Sequence, residues 1–340
     1  MTAHIVRDGR SVFGERSNAI YEVLGHVPSG LMLDVGAAVG GTTELMLRHS
    51  PDSNVIAFEP FPGNHEHFLN RIGDDPRVVL HRKAVSNSQE DQWFYVSGTV
   101  QPGTKGWGGL EGSSSLGFVI KPDDGRAEKG FRVASCRLDD IIGDREIVFT
   151  KMDIQGGEAE ALRGAASALN DHRLKVLLVE FGGDREVLHL MLDQGYECFD
   201  HEYFLIPRRD FDPDLRQWEI LHEGTLSTNA TFYRGWPHRA PRGPDDYCEF
   251  FREESAKIGS VWTDLVFVAP DFMPTFEGAL RSYNGVTGVK ASAHITRGTA
   301  KRPLPSGRTR LVGPVRRIVA RIPGARPLVR RLRQWRSPHD

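Results

Sequence analysis

Short apolar runs alternate with longer amphipathic stretches from residue 31 onward, and this alternation limits what the chain can fold into. Strands that are buried on both faces of a parallel sheet have such uninterrupted apolar runs, and the helices between them supply the amphipathic stretches. The pattern therefore predicts an α/β fold. The strands expected in the buried sheet are Leu31–Val35, Val55–Phe58, Val78–His81, Ile147–Met152 and Val176–Phe181.

Two helices and two further strands complete the expected core. One helix begins near Gly157, and another covers 184–194, where apolar residues share one face and Gly195 follows as a C-cap. Two more apolar runs, Tyr203–Ile206 and Leu265–Val268, predict strands that come after the parallel set.

Segment composition divides the rest of the chain. Residues between the last two predicted strands are rich in proline and aromatic side chains and are too many for a plain loop. A later stretch is rich in Gly, Ser, Thr and Pro, which predicts a linker. The expected organisation is an N-terminal helical segment (1–30), a core (31–207), a cap-like insertion (208–261), a last core strand (262–276), a linker (277–309) and a basic tail (310–336).

Cysteine usage and hydropathy exclude several classes of protein. The three cysteines lie far apart, with no Cys-x-x-Cys pair, so neither a disulfide framework nor a structural zinc site is expected. No apolar run approaches the roughly 20 residues that span a bilayer. We therefore expect a cytoplasmic protein, with a homo-oligomer left open.

The tail carries most of the excess positive charge. From Lys301 onward there are twelve Lys and Arg residues and a single acid, Asp340, although the chain as a whole has a net charge of −2. Apolar residues at helical spacing lie between these cations. The pattern predicts amphipathic helices that contact the inner, anionic membrane surface, and the alternative is a helix pair that packs on the acidic body. With one aromatic residue, Trp335, the tail does not indicate nucleic-acid binding.

A glycine turn follows the first predicted strand. Gly36 and Gly40 lack the Cβ atoms that would hold a ligand away from the backbone, and the next helix presents free N–H groups at its start. The dinucleotide fingerprint Gly-x-Gly-x-x-Gly is incomplete, because Ala38 occupies its second glycine position. The turn predicts a pocket for a nucleotide-like cofactor.

Two acids narrow the choice of cofactor. Asp34 ends the first strand, where it would repel a pyrophosphate and attract a cationic ligand. Glu59 follows the second strand, where a carboxylate can accept hydrogen bonds from ribose hydroxyls. S-adenosylmethionine carries an ammonium and a sulfonium group and no phosphate, so it fits both observations. An NAD(P)-dependent oxidoreductase is the alternative enzyme, and a non-catalytic binding module is the alternative outside enzymes.

The sequence resembles the FkbM-type family of S-adenosylmethionine-dependent O-methyltransferases. The resemblance implies a Rossmann-like class I methyltransferase sheet with an antiparallel hairpin at its end, and an acceptor hydroxyl on a sugar, glycolipid or polyketide-type molecule. The chain departs from the family pattern at Ala38, where Asn is common, and at Gln155, where Glu is common. The matching blocks are Asp34–Ala37 with Gly40, Phe58–Pro60 with Pro62, Ala84–Ser86, Ser113–Leu116, Leu138–Asp140, Lys151–Gly156 with Glu158, Leu162–Gly164 and Val179–Phe181.

The candidate site residues follow from these blocks and from the strand ends. We expect Asp153, after the fourth strand, to be the base that takes the acceptor's proton, with Lys151 as its electrostatic partner. Glu158 or Glu180 would be a further acceptor, and His201 is an alternative base. The residues expected to bind the cofactor are Asp34, Gly36, Ala37, Gly40, Thr42, Glu59, Pro60, Ala84 and Val85.

Four alternatives stay open around these residues. Lys151 and Asp153 could form a structural ion pair, and Glu158 could serve only as a helix N-terminal charge. A divalent metal held by Asp153 and Glu180 would also activate a hydroxyl, but the spacing does not predict one. Serines 113–115 could line the acceptor pocket or form an ordinary loop.

Overall fold

The computed structural model describes residues 6–7, 10–11, 19–97, 112–114, 116–200, 245, 248–249, 252 and 263–287. The strands are β1 (Val6–Arg7), β2 (Arg10–Ser11), β3 (Leu31–Val35), β4 (Asn54–Phe58), β5 (Val78–His81), β6 (Ala84–Val85), β7 (Gln92–Val96), β8 (Gly117–Ile120), β9 (Phe131–Val133), β10 (Ser135–Cys136), β11 (Ile147–Met152), β12 (Val176–Phe181), β13 (Glu197–Asp200) and β14 (Thr263–Val268). The α-helices are α1 (Ala19–Leu24), α2 (Gly41–His49), α3 (Pro62–Ile72), α4 (Leu138–Ile142), α5 (Glu158–Arg163), α6 (Ala166–Asn170), α7 (Arg185–Asp193) and α8 (Met273–Thr287).

A seven-stranded sheet in the order β13-β14-β12-β11-β3-β4-β5 forms the centre of the molecule. Only β14 runs against the others, and it pairs antiparallel with both β12 and β13. Numbered by their place in the chain, the seven strands lie in the order 3-2-1-4-5-7-6. The α/β class is thus confirmed, and of the five predicted parallel strands only β4 differs, because it begins one residue earlier at Asn54.

The antiparallel end of the sheet corrects one prediction. Leu265–Val268 is a strand as expected, within β14, but its outer neighbour is β13 at Glu197–Asp200. The predicted partner, 203–206, lies outside the described residues. The chain turns into β13 as soon as α7 ends, because Gly195 has a φ of +85° and Tyr196 N–H donates to the Met191 carbonyl at 3.2 Å.

Helices cover both faces of the sheet. On one face α4, α5, α6 and α7 bury residues such as Leu138, Leu162 and Leu188. On the other face α1, α2 and α8 bury residues such as Ile20 and Met46. The apolar runs of the strands are therefore buried from two sides, as parallel strands require.

The two predicted helices are present with different bounds. The helix expected to begin near Gly157 is two short helices, α5 and α6, that meet at Gly164, where a Cβ atom would lie 2.1 Å from the Ser86 carbonyl oxygen. The second is α7, whose N-cap Asp184 accepts a hydrogen bond from Glu186 N–H at 2.9 Å.

Helix α8 corrects the expected linker. The sequence predicts a linker over 277–309, but the first eleven residues of that range belong to α8, which ends at Thr287. Phe276, Leu280 and Tyr283 share one face of this helix and are nearly inaccessible to solvent, because that face packs against α1 and the sheet. The Gly and Ser residues on its other face lower the helix propensity of this segment, so its sequence resembles that of a linker.

A small antiparallel sheet in the order β8-β7-β9 was not predicted. Its inner side packs Phe94 and Val133 against Ala84 and Phe61, next to the parallel pair β6–β10. The segment therefore places β6 beside the end of β4 and α3.

Several expectations fall outside the described part of the chain. The insertion 208–261 is described only at 245, 248–249 and 252, and neither His201 nor the tail 310–336 is described. Among the described helices, none combines the length and the hydropathy that a bilayer crossing requires.

Candidate functional site

The candidate site lies where β3 and β11 run side by side. The chain leaves β3 toward β4 and leaves β11 toward β12, in opposite directions along the sheet. Ligands of open α/β sheets bind in the crevice at such a switch point, beyond the carboxyl ends of the strands. Asp153 N–H donates to the Val35 carbonyl at 3.0 Å, so the two strand ends that border the crevice are held together.

Gly36 allows this close approach. It has a φ of +84°, and a Cβ atom built on it would lie 2.0 Å from the Asp153 carbonyl oxygen. Sequence reasoning assigned the glycine to the approach of a ligand, but the structure shows that the neighbouring backbone already requires it. Gly40, with a φ of +82°, is the N-cap of α2 and packs against Phe68.

Charged side chains form a row across the sheet on the face covered by α1 and α2. Lys151 is the register partner of Asp34, and Glu180 is the register partner of Asp264. Side chains of a strand alternate between the two faces, and these four share a face with Phe149, Met32, Leu178 and Val266. The row places one cation among several carboxyl groups at the carboxyl edge of the sheet.

Asp34 points into the core rather than toward open space. It is fully buried, its Oδ2 atom accepts a hydrogen bond from Thr43 Oγ1 at 2.6 Å, and its Oδ1 atom has no hydrogen-bond partner. Lys151 Nζ lies 3.9 Å from that Oδ1 atom. Burial raises the pKa of Asp34, and the charge of Lys151 opposes the rise.

Lys151 joins the strand ends. Its ammonium group donates to the Gly36 carbonyl at 2.9 Å and lies 3.5 Å from Asp153 Oδ2. Burial favours the neutral amine, but the charges of Asp153 and Asp34 outweigh it and leave the pKa of Lys151 raised. Lys151 is therefore protonated at neutral pH and acts as a fixed positive charge, not as a base.

Glu59 links the end of β4 to the glycine turn. Its Oε2 atom accepts from Ala38 N–H at 2.8 Å and its Oε1 atom accepts from Phe61 N–H at 2.7 Å. Burial raises the pKa of Glu59 to about 7, although these backbone donors oppose the rise. The Asn64 side chain also hydrogen-bonds this carboxyl group. A carboxylate has about four lone-pair sites, so an acceptor position remains for a ligand hydroxyl.

Asp153, Gln155 and Glu180 form one hydrogen-bonded group. The Nε2 atom of Gln155 donates to Asp153 Oδ1 at 2.7 Å and to Glu180 Oε2 at 2.9 Å. Burial opposes ionisation of Asp153, but Lys151 and the Gln155 amide outweigh it, so the pKa of Asp153 is lowered. Burial and the charge of Asp153 raise the pKa of Glu180 to about 10. At neutral pH the pair holds one carboxylate and one carboxylic acid.

Glu158 holds backbone rather than facing the crevice. Its two oxygens accept from Ile154 N–H and Gly156 N–H, both at 2.9 Å, and its side chain is buried at the start of α5. Burial raises the pKa of Glu158 to about 7. The geometry supports the structural alternative for this residue.

The family comparison assigns this arrangement. The model of the methyltransferase FkbM domain matches residues 34–198, from the end of β3 into β13. The chain contains an FkbM methyltransferase domain. The reaction class is therefore methyl transfer with S-adenosylmethionine as the methyl donor.

Solved methyltransferases resemble the chain only distantly. They include precorrin-6Y C5,15-methyltransferase from Geobacter metallireducens GS-15, at 13% identity and a TM-score of 0.32, over 59% of this chain and 78% of that one. Geranyl diphosphate methyltransferase in complex with S-adenosylmethionine matches at 10% identity and a TM-score of 0.33, over 78% of this chain and 94% of that one. Mycolic acid cyclopropane synthase matches at 12% identity and a TM-score of 0.34, over 78% of this chain and 93% of that one. No curated protein is matched by the sequence.

The FkbM domain has donors and acceptors that suit its cofactor. Glu59 follows β4 next to the glycine turn, where its carboxyl group can accept a hydrogen bond from a ribose hydroxyl. Asp34 is buried beneath the turn, where its negative charge disfavours a pyrophosphate. Asp34 Oδ1 is a buried oxygen without a hydrogen-bond partner. Lys151, the cation of this row, is already neutralised by Asp34 and Asp153.

The remaining predicted cofactor residues occupy different surroundings. Ala37 packs against Phe68 beside Ala57, and Ala84 and Val85 are buried in β6. Pro60 lies between Glu59 and Phe61 in the turn that follows β4, and it is only partly buried. Thr42 hydrogen-bonds Tyr21 of α1.

Three residues near the site were not predicted from the sequence: one in the N-terminal helix, one in the FkbM domain and one on β14, after that domain. Tyr21 is buried beside Thr42, and the pKa of its phenol is raised by burial and by Asp34, Asp264 and Asp153 in turn. Asn64 is buried and holds Ser114, accepting from its N–H at 2.9 Å and donating to its carbonyl at 2.7 Å. Asp264 lies on β14, where it is the register partner of Glu180. No local motif marks them, because each contacts the site from a distant part of the chain.

The described residues of the FkbM domain hold no group of three or more His, Cys, Asp or Glu side chains that could bind a metal ion. Between Asp153 and Glu180, where a cation had been considered, the structure places the Gln155 amide.

Proposed function

We propose that this protein is an O-methyltransferase that acts on a hydroxyl group of a sugar, glycolipid or polyketide-type molecule. The observation that carries the proposal is the contact of Asp153 Oδ2 with Lys151 Nζ at 3.5 Å, at the switch point of a methyltransferase domain. When bound, S-adenosylmethionine supplies a methyl group on a cationic sulfur, and its transfer to a hydroxyl yields a methyl ether and one proton.

Asp153 is the group that takes the proton. Its side chain is 39% exposed, whereas that of Lys151 is 10% exposed. Its Oδ1 atom accepts from the Gln155 amide and its Oδ2 atom faces Lys151, and the exposed part of the carboxylate is left to accept the proton of the hydroxyl. Glu180 and Lys151 both carry protons at neutral pH, and the oxygens of Glu158 hold backbone N–H groups. Lys151 keeps Asp153 ionised and ready to accept the acceptor's proton.

Asp153→Asn is expected to slow methyl transfer by about 10²–10⁴-fold, because the amide cannot accept the hydroxyl proton. Transfer of the tritiated methyl group of S-adenosylmethionine into glycan and lipid extracts measures the effect. Asp140→Asn is the matched control, since that exposed carboxylate contacts Gln89 away from the site. Full activity of Asp153→Asn would remove Asp153 as the base.

Calorimetry separates this assignment from the alternatives. Both the native protein and Asp153→Asn should bind S-adenosylmethionine with similar affinity and should not bind NADH or NADPH. Binding of a pyridine nucleotide instead would favour the oxidoreductase. Cofactor binding without methyl transfer into any extract would favour a binding module.

The tail adds a proposal about where the acceptor is found. Its charge pattern supports contact between residues 310–336 and an anionic membrane surface, which would bring the domain to glycolipid acceptors. In liposome flotation with anionic vesicles, the full chain should float and a chain that ends at Pro305 should not. Equal flotation of the two chains would reject the membrane role.

A further inference from the structure

Gln155 lies between the two carboxyl groups of the site. We propose that Gln155 is a positioning residue that bridges Asp153 and Glu180 and stabilises the anion that the surrounding charges place on Asp153. The inference rests on the proposed function, in which Asp153 accepts the acceptor's proton.

The chemistry of an amide supports this assignment. The NH2 group has two hydrogens and no acceptor lone pair, and Gln155 directs one hydrogen to Asp153 Oδ1 and the other to Glu180 Oε2. Both oxygens therefore accept a hydrogen bond from the amide, and the bond to Asp153 favours its ionised form. Asp153 and Glu180 also hydrogen-bond each other directly. The amide thus holds the two carboxyl groups in the arrangement in which they share one proton.

The surrounding charges decide which carboxyl group is the anion. Lys151 Nζ lies 3.5 Å from Asp153 Oδ2, and Asp153 is partly exposed to water. Glu180 instead has the carboxylate of Asp264 as its register partner on β14. The other groups that act on this pair are Asp34 of β3, Glu158 of α5 and the Tyr21 phenol of α1. Negative neighbours thus surround Glu180, while the cation contacts Asp153.

The backbone holds Gln155 in place for this role. Gln155 has a φ of +59°, a left-handed conformation that residues other than glycine rarely adopt. The oxygens of Glu158 accept from the N–H groups of Ile154 and Gly156, on either side of Gln155. Glu158 therefore fixes the turn that presents the amide to both carboxyl groups.

Carboxyl-carbon NMR titration of the full chain, labelled with ¹³C at the Asp and Glu side-chain carboxyls, tests the proposal. Asp153→Asn and Glu180→Gln assign the two signals. In Gln155→Ala the titration midpoint of Asp153 should rise by about one pH unit, because one hydrogen bond to the anion is lost. In Gln155→Glu the rise should be larger, because a third carboxyl group is added, and the acidic limb of the pH–rate profile should move in the same direction.

Two further variants keep the test decisive. Gln155→Asn retains a residue that tolerates the left-handed backbone but is too short to bridge both groups, so it should behave like Gln155→Ala without loss of folding. Gln89→Glu is the matched control, because Gln89 donates to exposed Asp140 at 2.7 Å and should leave Asp153 unchanged.

An unmoved Asp153 midpoint in Gln155→Ala, Gln155→Asn and Gln155→Glu would overturn the proposal. A fall in rate at every pH without a shift of the midpoint would likewise indicate a merely structural role. Failure of the proposed function would be seen separately, as absence of S-adenosylmethionine binding or methyl transfer in the native protein.

Discussion

Gly36→Ala is expected to destabilise the domain by about 3–5 kcal/mol and to abolish binding of S-adenosylmethionine. The added methyl group would lie 2.0 Å from the Asp153 carbonyl oxygen and 3.0 Å from its carbon, and both atoms belong to backbone. The strand ends would have to separate, which breaks the hydrogen bond from Asp153 N–H to Val35 and moves Lys151 away from the Gly36 carbonyl. Urea unfolding and calorimetry measure the two effects.

Gly73→Ala is the matched control for the backbone conformation. Gly73 has a φ of +66°, similar to that of Gly36, but no atom lies within 4 Å of its added Cβ. The control should lose only the torsional cost of a backbone conformation that favours glycine (φ +66°, ψ −150°), about 1–3 kcal/mol, and should keep cofactor affinity. If the two variants lost the same free energy of unfolding, close approach of the strand ends would not be what requires glycine at 36.

Lys151→Met is expected to lower the free energy of unfolding by about 3–5 kcal/mol at neutral pH, because it leaves a buried carboxylate without its cation. Asp34 is fully buried, and Lys151 is its only nearby positive charge among the described contacts. Asp153 would lose the partner that lowers its pKa, and methyl transfer should fall with it. Chemical denaturation of both proteins measures the loss of stability.

The difference in stability between the native protein and Lys151→Met should change with pH in a definite direction. Without Lys151 the folded-state pKa of Asp34 rises further above its unfolded value, so the folded variant binds more protons than the unfolded chain as the pH falls. In the native protein Lys151 lowers the pKa of Asp153, and that contribution to stability is lost as the pH falls through the lowered pKa. The stability gap between the two proteins should therefore narrow from pH 7 toward pH 4 through Asp34, whereas the contribution of Asp153 is lost only below about pH 4.

Lys175→Met is the matched control. Lys175 is as shielded as Lys151, and its Nζ atom lies 3.0 Å from Glu146 and 2.7 Å from Asp271. These carboxylates are 68% and 53% exposed, so water can solvate them when the lysine is removed. The loss should be about 1 kcal/mol or less. Equal losses in both variants would show that the buried charge of Asp34 is not what Lys151 stabilises.

Local pattern was sufficient for the parallel strands. β3, β5, β11 and β12 match their predicted bounds, because a strand buried on both faces must be apolar along its whole length. The helix α7 was also predictable, since its apolar stripe, its Asp184 cap and its terminal Gly195 all lie within one short segment.

Elements stabilised mainly by distant contacts were not predictable in the same way. α8 owes its position to burial of one face against α1, and β13 pairs with a strand more than sixty residues later. The strands of the small sheet, β7, β8 and β9, mix buried residues with partly buried or exposed ones, and this sheet packs beside β6 rather than within the central sheet. Such elements carry a weaker apolar signal than a strand that is covered on both faces.

The candidate site was likewise predictable in part from the sequence and in part only from the tertiary structure. The sequence determined which chemical groups end the strands: glycines at 36 and 40, and carboxyl groups at 34, 59, 153 and 180. Only the tertiary structure decided what each group does. It turned Asp34 toward Thr43, gave the Glu158 oxygens to backbone N–H groups, and set Gln155 between Asp153 and Glu180. The charge state of a carboxyl group depends on burial and on neighbours brought in from other strands, and the order of residues along one strand contains neither.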